Sequence, residues 1–393
     1  LLKTVLRGAR KISCVADILI LFNGWSVKTI AGGEYHMLSV AARWKEESIA
    51  LVIPKIGYDI ATSIFSSADS IYFSSSEKKD LVSFTTLSFL YLQRILRSLF
   101  FRFKQNPDVV IASSHYLWDT IPGLVFRQRL KSKLVIYMHG FLESAPSYTR
   151  SKGIWSKIAL LNERIGLVLC RKADLIFAIN NDIKDALIAK GFKAEKIFVT
   201  TNAVDHELIN SVKNEMKTFD GCFCGSLIRR KGVYDLIDLW EKVLKRLPES
   251  KLIIIGYGEE YHNLLEEVKN KALDKNIIIT GYVSARDKIL SIKSSKIFIS
   301  PSHEESWGIA VSEATACGLP VVCYDIPFIR NSGSNLTKVK LGDTDEMATV
   351  ILNMLEGGQT SDRLAWRSTT EATNIPTWDD ISKEELREIR KIL

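Results

Sequence analysis

Cysteine is scarce in this chain of 393 residues, with six in all. Cys14, Cys170, Cys222, Cys224, Cys317 and Cys323 are scattered, mostly in apolar runs, and none has a partner at zinc-finger spacing. That argues against a disulfide framework or a zinc module, and the thiols read as buried groups in a reducing compartment. Long apolar runs are lacking too: no uncharged stretch reaches the ~20 residues needed to span a bilayer, so nothing reads as transmembrane. The chain opens on Leu1 rather than Met, as a fragment, a processed form or an unusual start would. In residues 1–22 basic residues precede an apolar run, as in a signal peptide, but Asp17 interrupts the run and no small-residue cleavage site follows cleanly. Ile18 to Phe22 reads instead as the first core strand. A dinucleotide fingerprint is incomplete. Gly256-Tyr-Gly258 follows a predicted strand, yet Glu259 and Glu260 come next and the third Gly is missing. Two acids would repel a phosphate there, which argues against a nicotinamide or flavin enzyme. No recognised nucleic-acid module surrounds the basic residues, so nucleic acid is not an expected partner.

What the chain does contain is apolar and charged residues in globular proportion, 46% and 25%. Its length suits two domains of about 100–200 residues each. The net charge of +8 is uneven: residues 1–200 carry 28 Lys and Arg against 16 Asp and Glu, and residues 201–393 carry 25 against 29. The basic first half is suited to meeting something anionic. Short Ile/Val/Leu runs alternate with amphipathic segments, the pattern of parallel sheets covered by helices. Strands are predicted at Ile18–Phe22, Ala50–Pro54, Val109–Ala112, Leu134–Met138, Leu175–Ile179 and Ile197–Thr200. In the second half they are predicted at Phe223–Gly225, Leu252–Gly256, Ile277–Thr280, Ile297–Ser300 and Val321–Tyr324. The polar stretch from His206 to Asp220 is the linker candidate. The expected division is residues 1–205, with a returning C-terminal helix at 376–393, against residues 206–375.

Chemistry concentrates between Pro301 and Val322. Glu313 lies in a run of small and apolar residues (Ala310, Val311, Ala314, Ala316) that reads as a tightly packed helix, and Glu305 stands eight positions earlier beside Trp307-Gly308. Gly318 is placed as the C-terminal cap and Pro320 prevents continuation. A carboxylate on such a helix is costly unless something pairs with it. A lone Glu there would read as a surface residue on an outer helix face; the pattern around it reverses that.

Glu305 and Glu313, followed by Ala-x-Ala-x-Gly-x-Pro-Val-Val, resemble the E-x7-E signature of retaining glycosyltransferases of family 4 (group 1). The resemblance extends to Phe223-Cys-Gly-Ser-Leu-Ile-Arg-Arg-Lys231-Gly232, to Leu252–Gly258 and to Ile277–Val283. In the first half it takes in Gly32-Gly33, Met138-His139-Gly140 and Asn202-Ala-Val-Asp205. It is dense only from Phe223 to Val322. It implies an α/β fold of GT-B architecture, two Rossmann-like domains facing each other across a cleft, that moves a sugar from a nucleotide-diphosphate sugar, UDP- or GDP-linked. By the same resemblance, the donor diphosphate sits between the loop at Gly32-Gly33 and the helix that follows Trp307, Gly308 and Ile309. Lys231 then neutralises the leaving group, Glu313 takes the ribose hydroxyls, and Glu305 and His139 contact the transferred sugar. The strand ending at Tyr282 and Val283 reaches the donor base. One position departs from the family: an Arg is usual five residues before the Lys, and Ser226 stands there. Arg229 and Arg230 are the candidate substitutes. The missing cation motivates an alternative, a catalytically weak sugar-nucleotide-binding or scaffolding protein; a GT-B-fold epimerase is disfavoured by the two carboxylates.

No cofactor or metal is expected. Asp343-Thr-Asp345 has the form of a metal motif but precedes an apolar helix, where Asp343 and Glu346 fit a cap. On the acceptor side, Phe84 to Lys104 is apolar, aromatic and basic with no acid. It reads either as a helix resting on anionic lipid or as a domain helix packed on the sheet. Arg127, Arg129, Lys131 and Lys133 add a second basic cluster. The expectation is a cytoplasmic enzyme, peripheral on the inner face of the membrane, with a glycan or lipid-linked acceptor.

Overall fold

The computed structural model describes residues 17–25, 30, 32–66, 68–77, 84–103, 106–142, 153–213, 216–305, 307–326, 336–357 and 375–393. The chain divides into two units, residues 1–201 with 378–393, and residues 202–377.

Unit 1 is built on seven strands: β1 (Asp17–Leu21), β2 (Ser48–Pro54), β3 (Ser70–Ser75), β4 (Val109–Ala112), β5 (Lys133–Met138), β6 (Leu175–Ala178) and β7 (Ile197–Val199). They lie in the order β3-β2-β1-β4-β5-β6-β7, and every neighbouring pair is parallel. Parallel strands need crossovers, and the helices supply them: α1 (Gly32–Ala41), α2 (Tyr58–Ile64), α3 (Phe84–Leu99), α4 (Leu117–Leu130), α5 (Ile154–Cys170) and α6 (Asn181–Ala189). Right-handed crossovers put α3, α4, α5 and α6 on one face of the sheet and α1 and α2 on the other. With helices on both faces, β1, β4 and β5 are almost wholly buried, which is why they read as unbroken apolar runs.

Unit 2 carries α7 (His206–Ser211) and the strands β8 (Phe219–Cys224), β9 (Leu252–Ile255), β10 (Ile277–Gly281), β11 (Ser295–Ser300), β12 (Val321–Tyr324) and β13 (Leu336–Val339). The order is β10-β9-β8-β11-β12-β13, again with every neighbouring pair parallel. Its crossover helices are α8 (Val233–Leu244), α9 (Tyr261–Asn270), α10 (Ala285–Lys293) and α11 (Ile309–Ala316), and α12 (Thr344–Leu355) follows the last strand. The last helix, α13 (Trp378–Lys391), belongs to unit 1. It lays Trp378 edge-on against Tyr35 and His36, and Trp44 Nε1 donates to its Ser382 carbonyl at 3.1 Å.

Two readings from the sequence are corrected, and one left open is decided. The stretch taken as a linker holds α7, capped by Asp205 and packed through buried Ile209 and Val212 into the unit 2 core. Two strands, β3 and β13, were not foreseen. Both are edge strands with polar residues, so neither shows the apolar run of a central strand. Of the two readings left open for Phe84 to Lys104, lipid-resting or domain helix, the first would turn its basic residues outward, yet Arg94 is fully buried. Its Nη1 donates to the carbonyls of Asn23 and Trp25 at 2.8 and 2.7 Å, and its Nη2 pairs with Glu77. Phe84–Leu99 is thus a domain helix. Among the described residues no helix is long and apolar enough to cross a membrane.

Candidate functional site

In an open parallel sheet the natural binding crevice lies beyond the carboxyl ends of the two strands from which the order runs outward in opposite directions. In unit 2 those strands are β8 and β11. The loop after β8 carries Ser226 and closes in a short 3-10 turn, Arg229–Lys231. Gly232 ends the turn at φ +67°, where a Cβ would lie 1.8 Å from the Pro301 carbonyl oxygen. Only glycine lets the two loops come this close. The loop after β11 is tied to the turn by the His303 N–H, which donates to the Arg230 carbonyl at 2.9 Å. His303 Nε2 also lies 2.7 Å from Asp235 on α8, whose carboxylate raises the imidazole pKa.

This close approach brings Lys231 and Glu305 into contact. The Lys231 ammonium donates to Glu305 Oε1, and Ser302 Oγ donates to the same oxygen at 3.0 Å. One turn into α11, Glu313 is only 5% exposed and accepts from Lys288 Nζ at 2.5 Å. Lys288, on α10, was not singled out in the sequence. A lysine one turn after the strand that ends beside Tyr282 is the signal that would have found it. The helix bearing Glu313 starts at Gly308, in the left-handed conformation at φ +85°, and ends at Gly318, φ +79°. The Gly318 and Leu319 N–H groups satisfy the Thr315 and Ala314 carbonyls, so the expected C-terminal cap is present. Tyr282 and Val283 follow β10, with Tyr282 exposed.

The arginines diverge. Arg229 Nε lies 2.8 Å from Glu260 Oε1, and its guanidinium sits over the Tyr234 ring. Glu260 therefore faces an arginine. Arg230 is exposed and makes no ion pair among the described residues. Ser226 is half-buried.

Unit 1 repeats the topology, with β1 and β4 at its crevice. Asp119, in the first turn of α4, is buried there and joins the two strand ends: it accepts from the Asn23 N–H at 2.8 Å, Ser114 Oγ at 2.6 Å and Ser113 Oγ at 3.3 Å. Burial pushes its carboxyl up to about 7, with the nearby Glu34 charge adding to the effect. Asp119 was missed because an acid at a helix start reads as ordinary N-terminal chemistry. Gly32 and Gly33 are the first residues of α1 rather than a loop ahead of it. A Cβ on Gly33 would lie 2.7 Å from the His139 ring, so the glycine makes room for the imidazole. His139 Nε2 is buried without a hydrogen-bond partner among the described residues. Burial, then the neighbouring His36 and His115, push its pKa down to about 3. Among the described residues no group of three or more His, Cys, Asp and Glu is placed to hold a metal ion. Asp343 caps α12, its Oδ1 accepting from the Glu346 N–H at 2.9 Å.

Residues 205–368 match the model for glycosyl transferases group 1, and residues 32–208 that for glycosyltransferase family 4. Over 242 residues the chain is 26% identical to an uncharacterized glycosyltransferase of Methanocaldococcus jannaschii, covering 58% of this chain and 59% of the relative. Over 294 residues it is 26% identical to the sulfoquinovosyl transferase of Arabidopsis thaliana, covering 70% and 55%. The chain thus spans less than two thirds of the length of these curated relatives. Among solved structures, HepE of Anabaena in complex with UDP-glucose matches with a TM-score of 0.72 at 18% identity, covering 96% of this chain and 100% of that one. That likeness establishes the two-domain α/β architecture called GT-B.

Proposed function

The chain belongs to the group 1 glycosyltransferases, and on that premise we propose that it moves a sugar, with retention of anomeric configuration, from a nucleotide-diphosphate sugar to a glycan or lipid-linked acceptor without a metal or other cofactor. The observation that carries this reading is the pair of carboxylates at the crevice of the unit 2 sheet, each matched to its own lysine: Glu305 to Lys231 and Glu313 to Lys288. The backbone N–H groups that open α11 suit the donor diphosphate. As the bond from the anomeric carbon to the phosphate oxygen breaks, the charge growing on the phosphate is met by Lys231 and that helix terminus. Glu313, aimed by Lys288, accepts the ribose hydroxyls, and Glu305 orients the hydroxyls of the sugar. The acceptor hydroxyl attacks from the face the phosphate leaves, and its proton passes to the departing phosphate oxygen. In unit 1, the neutral His139 beside Gly33, whose Nε2 has no hydrogen-bond partner among the described residues, suits contact with a sugar hydroxyl. HepE was solved with UDP-glucose, which favours a UDP-linked donor over a GDP-linked one. The basic outer helices of unit 1 support a peripheral position on the inner face of an anionic membrane.

The test is thermal unfolding with UDP, GDP, ADP and their sugars, followed by mass spectrometry for donor turnover. Absence of stabilisation by every nucleotide removes the reading. A second reading, a donor-binding protein of weak activity, is favoured by Ser226 and by the engagement of Arg229 with Glu260. Binding without turnover across glycan and lipid-linked acceptors selects it.

A further inference from the structure

Helix α5 is apolar on two opposite faces. Inward, Gly166, Leu167 and Cys170 are buried, and a Cβ on Gly166 would lie 2.2 Å from the His115 carbonyl oxygen. Glu163 is buried on the same side, accepting from the Leu142 N–H at 2.6 Å and lying 3.1 Å from His115 Nε2. Outward, Ile154, Ile158, Leu161, Ile165 and Val168 follow steps of three and four, which places them in one stripe about 21 Å long. Ile154 is 67% exposed, Leu161 56% and Val168 61%. A helix apolar all round is normally covered all round, and a continuous apolar patch on a surface marks an interaction site. Helix α3, two helices away in the same layer, repeats the arrangement with Phe89, Leu92 and Leu96 exposed.

Within α3, α4 and α5 the exposed charges have one sign, whereas the next helix of the layer, α6, exposes Asp182 and Asp185. Helices α3, α4 and α5 contain two carboxylates, Asp119 and Glu163, and both are buried. The exposed ionic groups of the three helices are Arg97, Arg129, Lys157 and Arg164, all cationic. At the C-terminal end of α5 the stripe runs into a concavity of about 290 Å³, where Arg164, Arg171 and Lys190 surround Leu167, Val168 and Phe192. The guanidinium of Arg171 lies over the Phe192 ring and donates to the Lys190 carbonyl at 2.7 Å, which holds it at that rim.

We propose that this face of unit 1 docks on an anionic lipid bilayer, with the α5 stripe in the interface and the Arg164–Arg171–Lys190 concavity taking a lipid phosphate headgroup. The proposal rests on the membrane part of the reading above and names the surface. Apolar side chains flanked by cations, with no exposed acid among these helices, match the layered chemistry of an anionic membrane surface. A second copy of this chain would set the same cations against each other, so self-association is disfavoured by charge.

The full chain is floated with vesicles of phosphatidylcholine alone and of phosphatidylcholine with phosphatidylglycerol. The expected result is binding to the anionic vesicles that weakens as salt rises. Leu161→Asp and the double variant Lys157→Glu/Arg164→Glu each lower it about tenfold or more. Nucleotide-induced stabilisation, which reads unit 2, stays unchanged in all variants. The charge variant alters exposed side chains only, so it decides the matter if Leu161→Asp fails to fold. Wild-type binding that neither variant weakens overturns the docking face and leaves the membrane reading standing. No binding by the wild type overturns both. A dimer in sedimentation that Leu161→Asp dissociates assigns the face to a second copy and overturns the proposal.

Discussion

Glu313 is buried beside a lysine, whereas Asp119 is buried among hydroxyls and a backbone N–H, and the two settings give different tests. With a folded-state value near 7 against an ordinary 3.8, Asp119 binds its proton more tightly in the folded protein. Its contribution to stability is present below about pH 4 and lost as pH rises through 7, up to about 4 kcal/mol for a fully buried group. His139 runs the other way. Its value falls from 6.5 to about 3, so stability is lost as pH drops through that window. Urea unfolding across pH 4–8 should therefore show Asp119→Asn gaining stability over wild type as pH rises, and stability of that variant should climb from pH 4 to 6.5 where His139 acts alone of the two. In unit 2, Lys288→Ala leaves Glu313 buried without its cation and should cost about 2 kcal/mol. Glu313→Gln should weaken donor binding with a smaller loss of fold stability, and calorimetric titration with the nucleotide separates the two effects.

At the scale of elements, glycine and caps were legible where the requirement is local. Gly318 ends α11 and Asp343 starts α12 as their neighbours in sequence imply. Gly232 is different: its positive φ ends the short turn Arg229–Lys231, but the 1.8 Å approach to Pro301 depends on a loop about 70 residues away. Gly232→Ala is expected to push those loops apart, separate Lys231 from Glu305, and lower both the melting temperature and nucleotide binding. Helix α7 and strands β3 and β13 escaped the sequence reading because pattern there is weak. Six residues of helix are less than two turns, and an edge strand has one neighbour and a polar side. Arg94 taught the converse. A basic residue in an acid-free apolar helix reads as surface, and only the carbonyls of Asn23 and Trp25 explain its burial.

At the scale of the whole molecule, the ties of the last helix to unit 1 include one buried carboxylate that three polar groups share. Glu385 accepts from Tyr137 Oη at 2.5 Å and from Thr200 Oγ1, and lies 2.9 Å from His36 Nε2. Glu385→Ala would take this acceptor from three buried polar groups and is expected to cost about 3 kcal/mol, read as a lowered melting temperature of unit 1. A nucleotide sugar at a hundred times its Kd should add about 2.7 kcal/mol to stability, and Ser226→Arg should raise turnover if a second cation is what the leaving phosphate lacks. The parallel-sheet architecture and most of its strands were determined by the sequence alone, because burial on both faces forces unbroken apolar runs in any chain that folds this way. The carboxylate motif, too, was visible as a pattern. Tertiary structure alone decided which cation each carboxylate meets, that Arg229 turns to Glu260, that Asp119 joins two strand ends, and that α5 faces outward with apolar residues. Those facts depend on partners tens to hundreds of residues apart, and periodicity carries information about an element's face but not about what stands opposite it.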